Sequence, residues 1–199
     1  MQFVCRTDTI SIELPKEKRI GVLVSGGIDS ALLYYLLLKE KERINSDHII
    51  FPVIMFRKEG SKYFARPIVE KINQLFGINM RAKKFGDNTL PEQKQIESAI
   101  VQSFEILQID CVFVGVIHNR PEHCIGIEHI PVPNDNRIKT PLVKLEKDCI
   151  IQLFYDLGIE ELLKYTHSCD KDEHVHCGTC NGCNERMWGF KSIGRVDPR

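Results

Sequence analysis

The sequence predicts an α/β protein whose parallel sheet is flanked by helices. Three observations carry this. Apolar strand-like runs recur at Ile20–Val24, Ile49–Phe56 and Cys111–Ile117, the first with the compact pattern of a strand covered on both faces. Segments of helical spacing lie between them, and alternating strands and helices build right-handed crossovers and a parallel sheet. A Ser/Gly-rich loop, Ser25 to Ser30, stands where the first such strand meets the first helix.

Read in order, Phe3 to Leu14 alternates loosely between apolar and polar and predicts one or two short strands ending at Pro15. Helices are expected over Ala31–Glu42, Tyr63–Phe76 (closed by Gly77), Pro91–Gln108 and Leu145–Leu157 (closed by Gly158). Ile78–Lys83 reads as a further strand, and residues 118–139, polar and broken by prolines, as a loop. Trp188 and Phe190 are expected to pack a last helix on the core. Phe3, Val4, Ile10 and Ile12 suit an edge strand or a homodimer contact. In such sheets ligands gather beyond the carboxyl ends of the strands, so the loops after Val24, Phe56 and Ile117 should line the site.

At 199 residues the chain fits one domain with a small appendage. We expect a nucleotide domain over residues 1–165, with 1–17 as an N-terminal extension, and a metal-binding segment over 166–199 packed on it. With 27 basic and 27 acidic residues the charge balances, so no basic surface for nucleic acid is advertised. No apolar run approaches the ~20 residues of a membrane span, and the N-terminus lacks a signal-peptide pattern. The cytoplasm is the expected setting, with no membrane partner.

Gly26 and Gly27 let the Ser25–Ser30 backbone turn sharply and approach an anion. Successive N–H groups form a concave nest, helped by the positive helix end. The Ser25 and Ser30 hydroxyls can donate to phosphate oxygens, and Asp29 suits the magnesium that accompanies ATP. No lysine lies in the loop, so it is not the usual P-loop. A plain turn with Asp29 or Ser30 capping the helix is the alternative. The complete hexapeptide between a strand and a helix favours phosphate.

Of eight cysteines, Cys5, Cys111, Cys124 and Cys149 are scattered, and Cys169, Cys177, Cys180 and Cys183 follow C-x7-C-x2-C-x2-C. In a reducing compartment such a cluster binds metal more often than it forms disulfides. Four thiolates suit tetrahedral zinc, which stabilises a segment too small for its own core. His174 or His176 replacing one cysteine, or an iron–sulfur cluster, are alternatives.

The Ser-Gly-Gly-x-Asp-Ser run of Ser25–Ser30 resembles the signature of PP-loop ATP pyrophosphatases, the adenine nucleotide alpha hydrolase-like fold. The resemblance implies that Ser25, Gly26, Gly27, Asp29 and Ser30 hold pyrophosphate and magnesium while ATP is split to AMP and pyrophosphate. With the cysteine cluster it narrows to the 7-cyano-7-deazaguanine synthase (QueC-like, queuosine-pathway) family. Cys177-Gly178-Thr179-Cys180, Cys183, Arg186, Gly189-Phe190, Thr140-Pro141-Leu142, Lys147 and Gly115-Val116 match that family in order. The implied activity is ATP-dependent carbon–nitrogen ligation. The acid 7-carboxy-7-deazaguanine is adenylated, ammonia gives the amide, and a second ATP dehydrates it to the nitrile. Asp29 and Lys147 are the expected catalytic residues, and Lys147, unless merely a solvated helix residue, offsets charge on the phosphates.

Where the family carries its acceptor segments, this chain reads Met55-Phe56-Arg57-Lys58-Glu59-Gly60, Leu90-Pro91-Glu92-Gln93-Lys94 and Ile117-His118-Asn119-Arg120. A paralogue joining the activated acid to another amine, on a protein for example, is therefore an alternative. So are a tRNA-thiolating enzyme, for which Cys124 rather than the core-like Cys111 is the cysteine to test, and a non-catalytic zinc-stabilised nucleotide-binding module. His118, His123 and His129 around Cys124 lack metal-site spacing.

Overall fold

The computed structural model describes residues 1–5, 8–55, 61–87, 89, 90, 92–118, 135–171 and 174–199. The chain opens with a hairpin, β1 (Gln2–Cys5) paired antiparallel with β2 (Asp8–Ser11) as a separate two-stranded sheet. Ile10 and, just beyond β2, Ile12 turn into the chain's own core, whereas Val4 points outward and is 70% exposed.

The main sheet holds β3 (Arg19–Val24), β4 (Ile49–Met55), β5 (Lys83–Phe85), β6 (Cys111–Val114) and β7 (Ile138–Lys139). All are parallel, in the order β5-β4-β3-β6-β7. The predicted fold class is therefore the observed one. The chain leaves β3 for β4 and β5, then returns to the other side of β3 with β6. That reversal opens a crevice at the carboxyl ends of β3 and β6, the position where such sheets bind ligands.

Side-chain alternation along the strands divides the core. Ile20, Val22 and Val24 of β3 join the cluster under α1 (Ile28–Arg43), α2 (Ser61–Leu75) and α4 (Lys147–Asp156). Leu23, Val53, Met55 and Val112 face the opposite cluster under α3 (Glu92–Leu107). Helix α1 packs against the sheet on one side and α2 and α4 on the other. This is why Leu32, Leu33, Leu36 and Leu37 are all fully buried, each worth about 1.5–3 kcal/mol of transfer free energy.

Three expectations need correction. The strand expected over Ile78–Lys83 is instead the short β5. The amide of Ile78 donates to the Asn73 carbonyl at 3.0 Å, and the Asn73 side chain donates to the Met80 carbonyl at 2.6 Å. The segment after α2 is thus tied to that helix until it reaches β4. The expected loop over 118–139 contains β7, whose two residues are too few to show a period; residues 119–134 lie outside those described. Disulfides were set aside in the sequence, yet Cys5 and Cys149 are bonded, with Cα atoms 5.8 Å apart across 144 residues. Docking of the hairpin beside α4 brings them together, which no sequence spacing announces. Among the described residues no helix is long and apolar enough to cross a membrane.

After α4 come a 3-10 turn, Glu160–Tyr165, and the last helix, α5 (Asn181–Ser192), in which Phe190 is buried and Trp188 partly so.

Candidate active site and metal centre

Strand β3 ends at Val24 and α1 begins at Ile28, so Ser25–Gly27 is the whole connection. Gly27 occupies the cap position of α1 in extended backbone, and no side chain caps the helix. The plain capping reading of Asp29 or Ser30 is therefore wrong. The two hydroxyls instead brace the loop: Ser30 Oγ donates to the Gly27 carbonyl at 3.2 Å and accepts the Ser25 amide at 3.1 Å. Ser25 Oγ lies 3.1 Å from Ser30 Oγ and accepts the Gly27 amide at 3.3 Å. From outside, the amide of His167 donates to the Gly26 carbonyl at 2.8 Å. Gly115, just beyond β6, lies against the start of α1. A Cβ there would lie 2.9 Å from the Ser30 nitrogen, so only glycine lets that chain come so close to the start of α1.

Lys147, the first residue of α4, reaches this loop from 118 positions away. Its Nζ donates to Asp29 Oδ1 at 2.8 Å and Oδ2 at 2.6 Å, and lies 2.9 Å from Glu185 Oε2. The lysine side chain is 4% exposed against 21% for Asp29 and 15% for Glu185, so it is no solvated helix residue. Burial alone would lower its pKa, but the charges of Asp29 and Glu185 outweigh burial and hold it above the usual lysine range. Glu185 escaped sequence reasoning because one more acid on a helix carries no signal until its partner is seen.

The sulfurs of Cys169, Cys177, Cys180 and Cys183 all lie within 4.8 Å of one another. Cys177 to Cys183 is 4.0 Å and Cys180 to Cys169 is 3.8 Å. Tetrahedral zinc with bonds near 2.3 Å needs edges of about 3.8 Å, so these residues fit a single ion. The histidine alternatives point elsewhere: His176 Nε2 accepts the Ser168 amide at 3.2 Å, and the His174 ring lies tilted against Tyr63, centres 4.4 Å apart. Hydrogen bonds from Thr179, side chain then amide, bring Cys177 down to about 6, a value that favours the thiolate a metal requires. Arg186 of α5 is 1% exposed and fully engaged, with Asp197 at 2.6 and 2.8 Å and Thr166 Oγ1 at 2.9 Å.

His167 is also absent from the sequence reading. It stacks on Phe64 at 4.5 Å, accepts from Arg199 at Nδ1, and leaves Nε2 buried without a partner among the described residues. Burial, then the charges of His176 and Arg199, lowers it to about 4 and keeps it neutral. Of the expected acceptor segments, residues 56–60, Pro91, Asn119 and Arg120 lie outside those described, as do His123, Cys124 and His129. Cys111 is buried in β6, as a core cysteine should be.

Comparison with known proteins gives the family. Residues 125–194 match the family described as queuosine biosynthesis protein QueC. The chain is 41% identical over 183 residues to a 7-cyano-7-deazaguanine synthase from Methanococcus maripaludis strain C7, covering 80% of this chain and 77% of that protein. The chain belongs to the QueC family. A QueC relative from Nitratiruptor, also a 7-cyano-7-deazaguanine synthase, is 26% identical over 212 residues, spanning 88% of this chain and 95% of its own. Two solved structures share the QueC chain's fold. The U34-tRNA thiolase NcsA of Methanococcus maripaludis, with its [4Fe-4S] cluster, matches at TM-score 0.54 and 13% identity over 92% of this chain and 75% of its own. NMN synthetase of Francisella tularensis matches at TM-score 0.56 and 14% identity over 91% and 79%.

Proposed function

We propose that this protein is an ATP-dependent synthase of the 7-cyano-7-deazaguanine type. The observation that carries the reading is the meeting of Asp29 and Lys147 at the Ser25–Ser30 loop, in a chain 41% identical to a synthase of that name.

The loop amides not engaged within it, the Ser25 hydroxyl, and the Ser30 hydroxyl once it gives up the Gly27 carbonyl bind the β- and γ-phosphates of ATP, leaving the α-phosphorus open to the carboxylate of 7-carboxy-7-deazaguanine. Lys147 offsets the charge that collects as the α–β bond breaks and pyrophosphate departs. Asp29 would hold magnesium, which supplies further neutralisation of the phosphates when bound. Ammonia then attacks the acyl adenylate, giving the primary amide and AMP. The amide oxygen attacks the α-phosphorus of a second ATP, releasing pyrophosphate, and loss of AMP and of both protons from the nitrogen yields the nitrile. No protein nucleophile is required. Cys169, Cys177, Cys180 and Cys183 would hold zinc in a closed, structural site, with no position left for substrate. A cytoplasmic enzyme using a small acid and free ammonia is the setting this chemistry implies.

Incubation with ATP, magnesium, 7-carboxy-7-deazaguanine and ammonium, followed by mass spectrometry, tests the reading. The nitrile is the expected product, with amide accumulating when ATP is limiting. An amide that never advances, or a conjugate formed only with another amine, would replace the nitrile synthase with a conjugating paralogue.

A further inference from the structure

The Lys147 ammonium is enclosed by two carboxylates from different parts of the molecule. Asp29 belongs to the first turn of α1. Glu185 belongs to α5, the helix whose first turn carries Cys183 of the cysteine centre. The approach of α5 to α4 is built for this contact. Gly189 lies one turn beyond Glu185, and a Cβ there would sit 2.9 Å from Lys147 Cγ and 2.8 Å from Ile151 Cδ1. The lysine stem therefore runs against Gly189 while its ammonium meets Glu185. One cation facing two carboxylates leaves the group one charge negative, which suits entry of another cation at the more exposed Asp29.

Resting on the phosphate-site reading above, we propose that Glu185 is a positioning residue. It keeps Lys147 charged and aimed at the loop when Asp29 turns from the ammonium to a divalent cation. Lys147 has three donor hydrogens. With Glu185 holding one, release from Asp29 frees the other two for a phosphate without moving the lysine. Without Glu185, a cation at Asp29 would leave a buried ammonium uncompensated, so cation and lysine would compete for one carboxylate. The role also couples the phosphate site to the cysteine centre, because the helix that starts at the cysteines carries the anchoring carboxylate.

The test is calorimetric titration of inorganic pyrophosphate into the full, zinc-loaded chain, with and without magnesium, for the unmodified protein and Glu185→Gln. A residue that merely supported the fold would weaken both titrations alike. The positioning role predicts a loss of about tenfold in affinity with magnesium present, and no comparable loss without it. Zinc content and melting temperature are measured on the same samples. If Glu185→Gln sheds zinc or melts early, Glu185→Asp is judged by the same criterion. Equal affinity of variant and unmodified protein for pyrophosphate with magnesium, or equal losses in both titrations, would overturn the inference alone. Failure of the unmodified protein to bind pyrophosphate with magnesium would overturn the phosphate-site reading and the inference with it.

Discussion

A lysine buried among its counterions keeps its charge only while they stay. Replacing Lys147 by Met leaves Asp29 and Glu185 facing each other without a cation, which should cost roughly 3–5 kcal/mol of stability. Pyrophosphate release should fall by about 10²–10³-fold, the loss typical of one group stabilising transition-state charge. Denaturant unfolding and a pyrophosphate-coupled assay measure the two effects. At this scale the sequence was informative about identity and poor at geometry. Ser25–Ser30 and Lys147 stood out by residue type and by resemblance. The pairing of Lys147 with Asp29 depends on the docking of α4 beside α1, and Glu185 and His167 acquire meaning only from what the fold sets beside them.

Among the elements, α5 is the one whose start a metal at the four cysteines would hold. It begins at the cysteines, buries Arg186 and Phe190, and crosses α4 at Gly189. Cys180→Ser should lower zinc content and melting temperature together, and pyrophosphate release should fall although the Ser25–Ser30 loop is untouched. Equal melting of the zinc-loaded protein and the variant would show that packing alone holds α5. In metal-free protein at pH 7, Cys177, at about 6, is mostly thiolate, whereas burial holds Cys111 at about 11 and protonated. Mass-resolved alkylation should therefore label Cys177 early and Cys111 only on unfolding. Elements with a strong pattern were legible: β3, β4, α1 and α4 fall close to where the apolar runs and helical spacing place them. Short edge elements were not, because β5 begins only where the Asn73 bonds end and β7 has two residues.

On the scale of the molecule, the hairpin, α1 and α5 are tied to α4 by unlike means. The Cys5–Cys149 bond fastens the hairpin, hydrophobic packing fastens α1, and Glu185–Lys147 with the Gly189 crossing fastens α5. Because the bond closes a loop across 144 residues, reduction should lower unfolding free energy by about 2–5 kcal/mol. Cys149→Ser should reproduce that loss and make stability insensitive to reductant, as read by denaturant melts with and without dithiothreitol.

The most direct measurement is the identity of the products formed from ATP, resolved by chromatography, for the unmodified protein and Asp29→Ala with 7-carboxy-7-deazaguanine, ammonium and magnesium. AMP and pyrophosphate in equal amounts, both lost in Asp29→Ala, are the predicted result. ADP and phosphate, or AMP formation that persists in Asp29→Ala, would contradict an ATP-splitting site at Ser25–Ser30.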